Sequence, residues 1–308
     1  MSLLENDVRL PEGIHFEKSC EDSSVLTMQM EPCGMGYFEK RKEPLNMQDD
    51  GAAFEAWALL AKAFGDEKIE LRGEPITCND FQYHHYNRFL YRVMRFHENF
   101  GQWFLISEKL LTAVSHFREA FNSHELKYNV PDKPSAEVSK QKPEAIMEKH
   151  FCDNPVQLCG LIGIPECEIF RQLPVGLFID EVSKKTRIFP GGSAAIDLWA
   201  ISENCMHIIE LKAKDNKSLG ILSELFFYTC FAYDFYCKKL GEPGRESKER
   251  GFDRLLSTSI TKVVGHILTE TEHPHLEKAL SQLNLCSNKD ISFTKKKYDA
   301  QALAKGTS

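Results

Sequence analysis

The chain has 308 residues, of which 42% are hydrophobic and 27% charged, and its 38 basic and 45 acidic side chains give a net charge of −7. These proportions are ordinary for a globular protein and exclude collagen-like, disordered and disulfide-scaffold classes. The negative charge argues against a protein that coats nucleic acid over its whole surface, while a local basic groove remains compatible with it.

Compartment and membrane association are suggested by the cysteines and by one apolar stretch. The ten cysteines contain no Cys-x-x-Cys pair, and residues 1–7 lack the basic and apolar segments of a secretory signal. Scattered cysteines of this kind are typical of a reducing compartment, so we expect a cytoplasmic protein. Residues 219–237 include Glu224 and Asp234. Because an acid within a membrane span costs about 2.5–3.5 kcal/mol, this stretch is expected to be a buried helix, with no membrane partner.

The first 130 residues predict a mainly helical α+β accessory domain. Short strands are expected at residues 13–16 and 24–28, and helices at residues 51–64, from an N-cap at 79–80 to about 99, and at 108–121. The helix that ends near residue 99 mixes aromatic side chains with Arg88, Arg92 and Arg95. No motif in this region indicates a chemical activity.

A polar, proline-containing segment at residues 131–142 is predicted to be a linker between this domain and a second one at residues 143–293. A basic, flexible tail is expected at 294–308. Within the second domain the pattern predicts a helix from Pro143, a strand, two short apolar strands and a long helix, followed by one or two more helices. Their ranges are 143–151, 171–179, 194–201, 206–213, 219–238 and 253–285.

The two apolar strands bring chemically active side chains together. If residues 203 and 204 form the turn, Ser202 faces Cys205, and the same antiparallel register places Asp197 opposite Glu210. Cross-strand partners lie with their Cβ atoms about 4.5–5.5 Å apart, and Lys212 falls on the same face as Glu210. Two adjacent carboxylates repel each other unless a proton or a cation intervenes, and Mg²⁺ binds such pairs together with water and phosphate oxygens.

A simpler interpretation stays open at this stage. An exposed ion-pair triad on a hairpin contributes only about 0–1 kcal/mol and needs no function. On the next helix Glu224 and Tyr228 are four residues apart and share a face, which could serve a hydrogen bond within the helix or a role at the same site.

Three motifs in order carry a resemblance to a known family. Ile196-Asp197, Glu210-Leu211-Lys212 and Glu224-x-x-x-Tyr228 resemble the PD-(D/E)XK nuclease superfamily, in particular its RecB-type members, over roughly residues 143–240. Ile196 stands where the family has Pro, and Glu224 where these members have Gln. The resemblance implies an α/β fold with a restriction-endonuclease-like αβββαβ core, a mixed sheet flanked by helices.

The resemblance also implies the roles of individual residues. Asp197 and Glu210, with the main-chain carbonyl of Leu211, would bind Mg²⁺ or Mn²⁺, and Lys212 would orient or activate the attacking water. Glu224 and Tyr228 would take the places of the family's helix Gln and Tyr. Glu148, on the preceding helix, would be a further acid at the metal, and Gln172 would be a polar residue near the substrate.

The expected activity is metal-dependent hydrolysis of phosphodiester bonds, in DNA rather than RNA because the family prefers DNA. Basic residues flank the candidate site and are expected to contact nucleic acid, among them Lys184, Lys185, Lys214 and Lys217. Defence against foreign DNA, repair and mobile-element processing are all compatible with this activity, and a second copy of the chain or an accessory protein is left open as a partner. Two alternatives are a nucleic-acid-binding or scaffold protein built on a nuclease-like core, and an interaction module in which residues 1–130 do the work.

Overall fold

Three β-sheets organise the protein in a computed structural model, which describes residues 2–20, 22–37, 43–76, 81, 83–134, 143–190, 194–213 and 218–300. The strands of the described residues are β1 Ile14–Lys18, β2 Val25–Met30, β3 Lys68–Arg72, β4 Phe104–Ile106, β5 Leu126–Tyr128, β6 Ile169–Pro174, β7 Leu177–Ile179, β8 Ala195–Ser202, β9 Cys205–Lys212, β10 Glu242–Pro243, β11 Lys262–Thr269 and β12 Ile291–Lys297. Their α-helices are α1 Pro32–Met35, α2 Phe54–Ala63, α3 His84–Phe100, α4 Glu108–Ser123, α5 Pro143–Asp153, α6 Pro155–Ile162, α7 Ile221–Ala232, α8 Phe252–Ser257 and α9 Leu276–Leu283. The fold is α/β, with mixed sheets flanked by helices.

The N-terminal region forms a four-stranded sheet in the order β1-β2-β3-β4. β1 pairs with β2 in antiparallel fashion, and the other two pairings are parallel. The strands and helices predicted before residue 130 are confirmed. The N-cap predicted at 79–80 lies outside the described residues, and α3 begins at His84.

A five-stranded mixed sheet in the order β12-β11-β9-β8-β6 forms the centre of the C-terminal half. β6, β8 and β9 are antiparallel neighbours, whereas β9, β11 and β12 run parallel. One face packs against α5 and α6 through Phe151, Leu158, Leu198 and Ile209. The other face packs against α7.

Helix α7 is the most deeply buried helix near the candidate site. All twelve of its residues are buried, and a π-helical turn, Tyr233–Cys237, continues it. The predicted buried helix at 219–238 is therefore confirmed in outline. Within the described ranges, no helix is both long and apolar enough to cross a membrane.

The segment predicted as one strand at 171–179 instead forms two strands in different sheets. β6 ends at Pro174, which has no backbone N–H to continue a ladder. β7 then leaves the five-stranded sheet and pairs with β5 of the N-terminal region, in a small sheet of order β10-β5-β7. Residues 135–142 of the predicted linker lie outside the described residues, but the segments on either side of them contribute to one hydrophobic core.

Two predictions near the C-terminus differ from the structure. Residues 253–285 contain α8 and α9 but also β11, which the helical prediction omitted. β11 lies between β9 and β12 with both faces covered, so its residues do not alternate between apolar and polar. The predicted tail also begins too early, because residues 294–297 complete β12, whose Ile291 and Phe293 are buried; residues 301–308 lie outside the described residues.

Candidate active site

The β8–β9 hairpin positions the candidate acids, and its register is the one predicted. Ser202 pairs with Cys205 and Leu198 with Ile209, and continuing this register places Asp197 opposite Glu210. Glu203, in the turn, adopts a left-handed backbone conformation (φ 52°) that lets the chain reverse within two residues. At the opposite end of the hairpin, the carboxylate of Asp197 accepts a hydrogen bond from the backbone N–H of Leu211 (3.2 Å).

The acids and the lysine form a compact charged cluster. Lys212 Nζ lies 2.8 Å from Glu210 Oε1 and 3.3 Å from Glu224 Oε2, so it bridges strand β9 and helix α7. Glu210, Lys212 and Glu224 are 2%, 6% and 7% exposed, and Asp197 is partly exposed. This burial separates the cluster from a surface ion-pair triad, which is the simpler interpretation that the sequence left open.

Helix α7 contributes both residues that its sequence predicted for this site. The hydroxyl of Tyr228 donates a hydrogen bond to Glu224 Oε1 (3.2 Å), while the other carboxylate oxygen of Glu224 faces Lys212. The hydrogen bond within the helix therefore exists, and the same Glu224 also joins α7 to β9.

Acidic side chains outnumber basic ones in this cluster, which raises the pKa values of its acids. Burial raises the pKa of Asp197 to about 7; the charge of Lys212 opposes this rise, and the charges of Glu148 and Glu224 add to it. Burial also raises the pKa of Glu210 well above its ordinary value, with Asp197 and Glu224 acting in the same direction. Burial lowers the pKa of Lys212, but the charges of Glu210, Glu224 and Asp197 outweigh burial and raise it.

One oxygen of the cluster bears on metal binding. Glu210 Oε2 is buried and has no hydrogen-bond partner among the residues that the structure describes. An unpaired carboxylate oxygen beside the carboxylate of Asp197 is a donor set that suits a hard divalent cation. In the described part of the chain, no group of three or more His, Cys, Asp or Glu side chains has the spacing of a metal site. Two adjacent carboxylates alone remain compatible with Mg²⁺, which commonly takes one or two carboxylates plus water.

Glu148, predicted as a further metal ligand, lies on α5 and is buried. Its Oε2 accepts hydrogen bonds from Nε and Nη2 of Arg171 (3.1 and 2.9 Å) and from Gln172 Nε2 (3.4 Å). Glu148 is thus near enough to affect Asp197 electrostatically, but its Oε2 is bound to a guanidinium. Gln172, expected near the substrate, lies opposite Asp197 in the β6–β8 register and has a left-handed backbone conformation (φ 54°).

The basic residues expected to contact nucleic acid fall in two places. Lys184 and Lys185 are exposed in the turn between Phe178 and Arg187, which form an isolated bridge. No hydrogen bond or ion pair of the described residues joins them to the acidic cluster. Lys214 and Lys217 lie outside the described residues.

We found no family model that matches the chain, and no match among curated proteins or solved structures.

Two residues beside the cluster were not predicted from the sequence. Arg171 is the partner of Glu148, and its position next to Gln172 in a strand gave no sign of that ion pair. Arg88, on α3 of the N-terminal region, is buried and acts electrostatically on both Glu224 and Tyr228. The sequence did show that Arg88 is a basic residue on an aromatic-rich helix. A basic side chain that such a helix buries needs a partner or a ligand, and this requirement could have drawn attention to it.

Proposed function

We propose that the protein is a metal-dependent nuclease that hydrolyses phosphodiester bonds, with DNA preferred over RNA as substrate. The observation that carries the proposal is the convergence of Asp197, Glu210 and Lys212 at one end of the β8–β9 hairpin, with buried Glu224 of α7 against Lys212. A cluster of three acids and one lysine, in which Glu210, Lys212 and Glu224 are buried, is costly to maintain for stability alone.

The arrangement of the elements supports the same proposal. Helix α5, strands β6, β8 and β9, helix α7 and strand β11 occur in the chain order expected for an αβββαβ core, with α6, β7, β10 and α8 inserted between them. The three antiparallel strands are joined by a parallel fourth strand. We therefore propose a restriction-endonuclease-like core, to which these inserted elements and the later α9 and β12 are additions.

In the proposed mechanism Asp197 and Glu210, with the Leu211 carbonyl, would hold Mg²⁺ or Mn²⁺. The ion would supply an activated water and a positive charge on the phosphate oxygens. Lys212 provides N–H donors that orient the water and stabilise the negative charge that develops on phosphorus oxygens. Glu224 and Tyr228 hold Lys212 in place from α7. Glu148, bound to Arg171, fixes the edge of the site where β6 passes Asp197.

Cleavage by the full chain tests this function. We expect purified protein to cut circular or linear DNA with Mg²⁺ or Mn²⁺ and to be inactive with EDTA. Asp197→Asn should abolish cleavage because it removes a proposed metal ligand, and Lys212→Met should lower the rate by roughly 10²–10³-fold because it removes a donor that stabilises the reacting phosphate. Asp253→Asn, at an exposed position on α8, is the matched control and should cut normally.

Metal binding gives an independent readout. Calorimetric titration should show Mg²⁺ or Mn²⁺ binding to wild type that Asp197→Asn loses, while both proteins keep the same circular dichroism spectrum. Equal binding by the two proteins would show that the metal site is wrong. RNA is included as a substrate, since cutting of RNA alone would correct the substrate class and leave the site intact.

One observation favours a second candidate, a non-catalytic nucleic-acid-binding or scaffold protein on the same core. Lys212 already bridges Glu210 and Glu224, which compensates part of the negative charge without any metal. Under this alternative the Asp197→Asn and Lys212→Met proteins would bind nucleic acid as wild type does, and none of the three would cut it.

A further inference from the structure

Three arginines of helix α3 are partly or wholly buried, and within the described part of the chain only two of them have an acidic partner. Arg92 pairs with Glu55, and Arg95 pairs with Asp234 (2.8 Å) and Glu98 (2.7 Å). Arg88 is 6% exposed, yet no carboxylate of the described residues lies within ion-pair distance of it. A buried cation without a counter-ion is costly, so its retention here calls for an anionic ligand.

The one hydrogen-bond contact that Arg88 makes with described residues is with a group that carries no compensating charge. Its Nη2 lies 3.4 Å from Nδ1 of His85, one turn earlier on α3. Burial, together with the charge of Arg88, lowers the pKa of His85 to about 4, so this ring is neutral at physiological pH. Nε and Nη1 of Arg88 make no hydrogen bond to any residue that the structure describes, and they remain available as donors.

Arg88 belongs to the same neighbourhood as the candidate active site. Tyr91, one turn further on α3, packs its ring against Phe227 of α7, with ring centroids 5.9 Å apart. Tyr228 is the next residue, and the charge of Arg88 acts on both Tyr228 and Glu224. The carboxylate of Glu224 accepts a hydrogen bond from the Tyr228 hydroxyl and pairs with Lys212, so it attracts Arg88 electrostatically without forming an ion pair with it.

A second basic residue lies on the same side. Asn87, next to Arg88, donates a hydrogen bond to the carbonyl of Ile188 (3.1 Å), which ties α3 to the segment that contains Arg187. Nε of Arg187 is buried and has no hydrogen-bond partner among the described residues. Two guanidinium groups with unused donors therefore border the start of α3.

We propose that Arg88 binds a backbone phosphate of the nucleic-acid substrate, so that the N-terminal region contributes a substrate-positioning residue to the site. The identity of the anion rests on the proposed nuclease function. Guanidinium groups present paired N–H donors that match phosphate oxygens, and buried donors of this kind bind more strongly than exposed lysines. The amino-acid sequence of the N-terminal region carries no chemical motif, and the Arg88 contact would give this region a direct role in substrate binding.

The test measures DNA binding rather than cleavage, so that its failure is separate from failure of the nuclease proposal. Full-length protein with Asp197→Asn is titrated into a fluorescently labelled DNA duplex over a series of KCl concentrations in the presence of Mg²⁺. Adding Arg88→Met should weaken binding roughly tenfold. It should also make the slope of log affinity against log salt about 0.9 less steep, which is the signature of one lost phosphate contact.

Matched variants separate a phosphate contact from a structural role. Arg118→Met removes an exposed positive charge from α4 and should leave the slope unchanged. Arg88→Lys keeps the charge, so it should restore the slope but only part of the affinity. If Arg88→Met fails to fold, the test is the affinity of Arg88→Lys, which should be lower than that of wild type at an unchanged salt slope.

Three results would overturn the inference. The first is a salt dependence of DNA affinity that is the same in Arg88→Met as in the parent protein, even if the wild-type protein cuts DNA. Rescue of Arg88→Met by Glu224→Gln would show that Arg88 only offsets the Glu224 charge. Loss of inorganic phosphate binding in Arg88→Met with DNA binding intact would assign the site to a free anion instead. The converse result is a less steep slope of log affinity against log salt in Arg88→Met while the wild-type protein cuts no nucleic acid. That result would support the phosphate contact of Arg88 and contradict the proposed nuclease function.

Discussion

Among the residues that the structure describes, buried charged side chains have partners of opposite charge except at and beside the candidate site. Glu148 pairs with Arg171, and Arg92 with Glu55, with all four side chains less than a tenth exposed. At the site three acids share the charge of Lys212, and Arg88 has no acidic partner among the described residues. Unpaired buried charge is destabilising. A cation bound by the acids and an anion bound by Arg88 would therefore each stabilise the folded protein.

The Glu148–Arg171 pair gives a prediction at the scale of residues. Glu148→Met leaves the Arg171 guanidinium buried without its carboxylate, so we expect unfolding to become easier by about 3–5 kcal/mol. The double variant Glu148→Met/Arg171→Met removes both charges, and we expect it to recover most of that loss. Urea unfolding followed by circular dichroism measures both.

Lys149→Met is the control for this series. It removes an exposed charge on the same helix, whose ion pair is with the equally exposed Asp153, and it should change stability by less than about 1 kcal/mol. If the double variant were as unstable as Glu148→Met alone, Glu148 would stabilise the fold through contacts other than its ion pair with Arg171. The ion pair would then not explain why Glu148 is buried.

At the scale of elements, local patterns gave the β8–β9 hairpin correctly and missed its neighbour β11. The hairpin was predictable because two apolar runs flank a short polar turn, and one register then places Asp197 opposite Glu210. β11 was not, because a central parallel strand is covered on both faces and its apolar residues fit a helix as well as a strand. The break between β6 and β7 depends on a distant partner, β5, that no local pattern reveals.

The residues of the candidate site show the same difference between what local sequence predicts and what only tertiary packing determines. Asp197, Glu210, Lys212, Glu224 and Tyr228 could be predicted together because they lie on consecutive elements. The partner of Glu148 and the approach of Arg88 could not, because each depends on packing between segments far apart in sequence. For Arg88 that separation is more than 130 residues from Glu224, so only the tertiary fold brings the two together.

A chain of polar side chains crosses four strands of the central sheet. Ser202 Oγ lies 2.7 Å from Nε2 of His207, whose Nδ1 lies 3.0 Å from Nε2 of His266, and Nδ1 of His266 lies 2.7 Å from Thr294 Oγ1. Two neutral imidazoles and two hydroxyls can satisfy every link of this chain. Burial lowers the pKa of His207 to about 4 and that of His266 to about 3, the latter with a contribution from His207.

This chain predicts that acid destabilises the protein. In the unfolded state both histidines take up protons below about pH 6.5, whereas in the folded state they stay neutral until about pH 4 and 3. The unfolded state therefore binds more protons in this interval, and stability falls as pH decreases by about 1.4 kcal/mol per pH unit for each histidine. We expect His266→Gln to be less stable than wild type at neutral pH but to lose less stability on acidification.

Urea unfolding at about pH 7 and about pH 5 checks this prediction, with His116→Gln, at an exposed position on α4, as the control. The control should show the same pH dependence as wild type. An equal loss of stability in wild type and His266→Gln would mean that other groups cause the acid sensitivity.

At the scale of the whole molecule, the N-terminal region covers the helix that carries Glu224 and Tyr228. The ring of Phe96 on α3 packs against that of Phe226 on α7, with centroids 5.5 Å apart. The hydroxyl of Ser223 accepts a hydrogen bond from the backbone N–H of Ala56 (3.3 Å). Because every residue of α7 is buried, removal of residues 1–130 would expose large apolar side chains of the helix that supports the site.

The final prediction therefore concerns the predicted boundary at 131–142. We expect a fragment of residues 143–308 to be aggregated or without cooperative unfolding, since it lacks the N-terminal helices that cover α7 and the partner strand of β7. Calorimetry of the full chain should show a single transition, because one hydrophobic core includes residues from both sides of the boundary.

Co-expression of the two fragments shows whether 143–308 fails because its interface with residues 1–130 is missing or because the fragment itself cannot fold. Residues 1–130 supplied as a second chain should restore a soluble complex with 143–308, since the contacts between the regions are side-chain packing, hydrogen bonds and the pairing of β5 with β7 and β10 rather than a continuous chain. A fragment 143–308 that unfolds cooperatively by itself, with metal-dependent activity equal to that of the full chain, would establish two independent domains. It would also exclude Arg88 from the site, because Arg88 reaches Glu224 and Tyr228 only through the packing of α3 on α7.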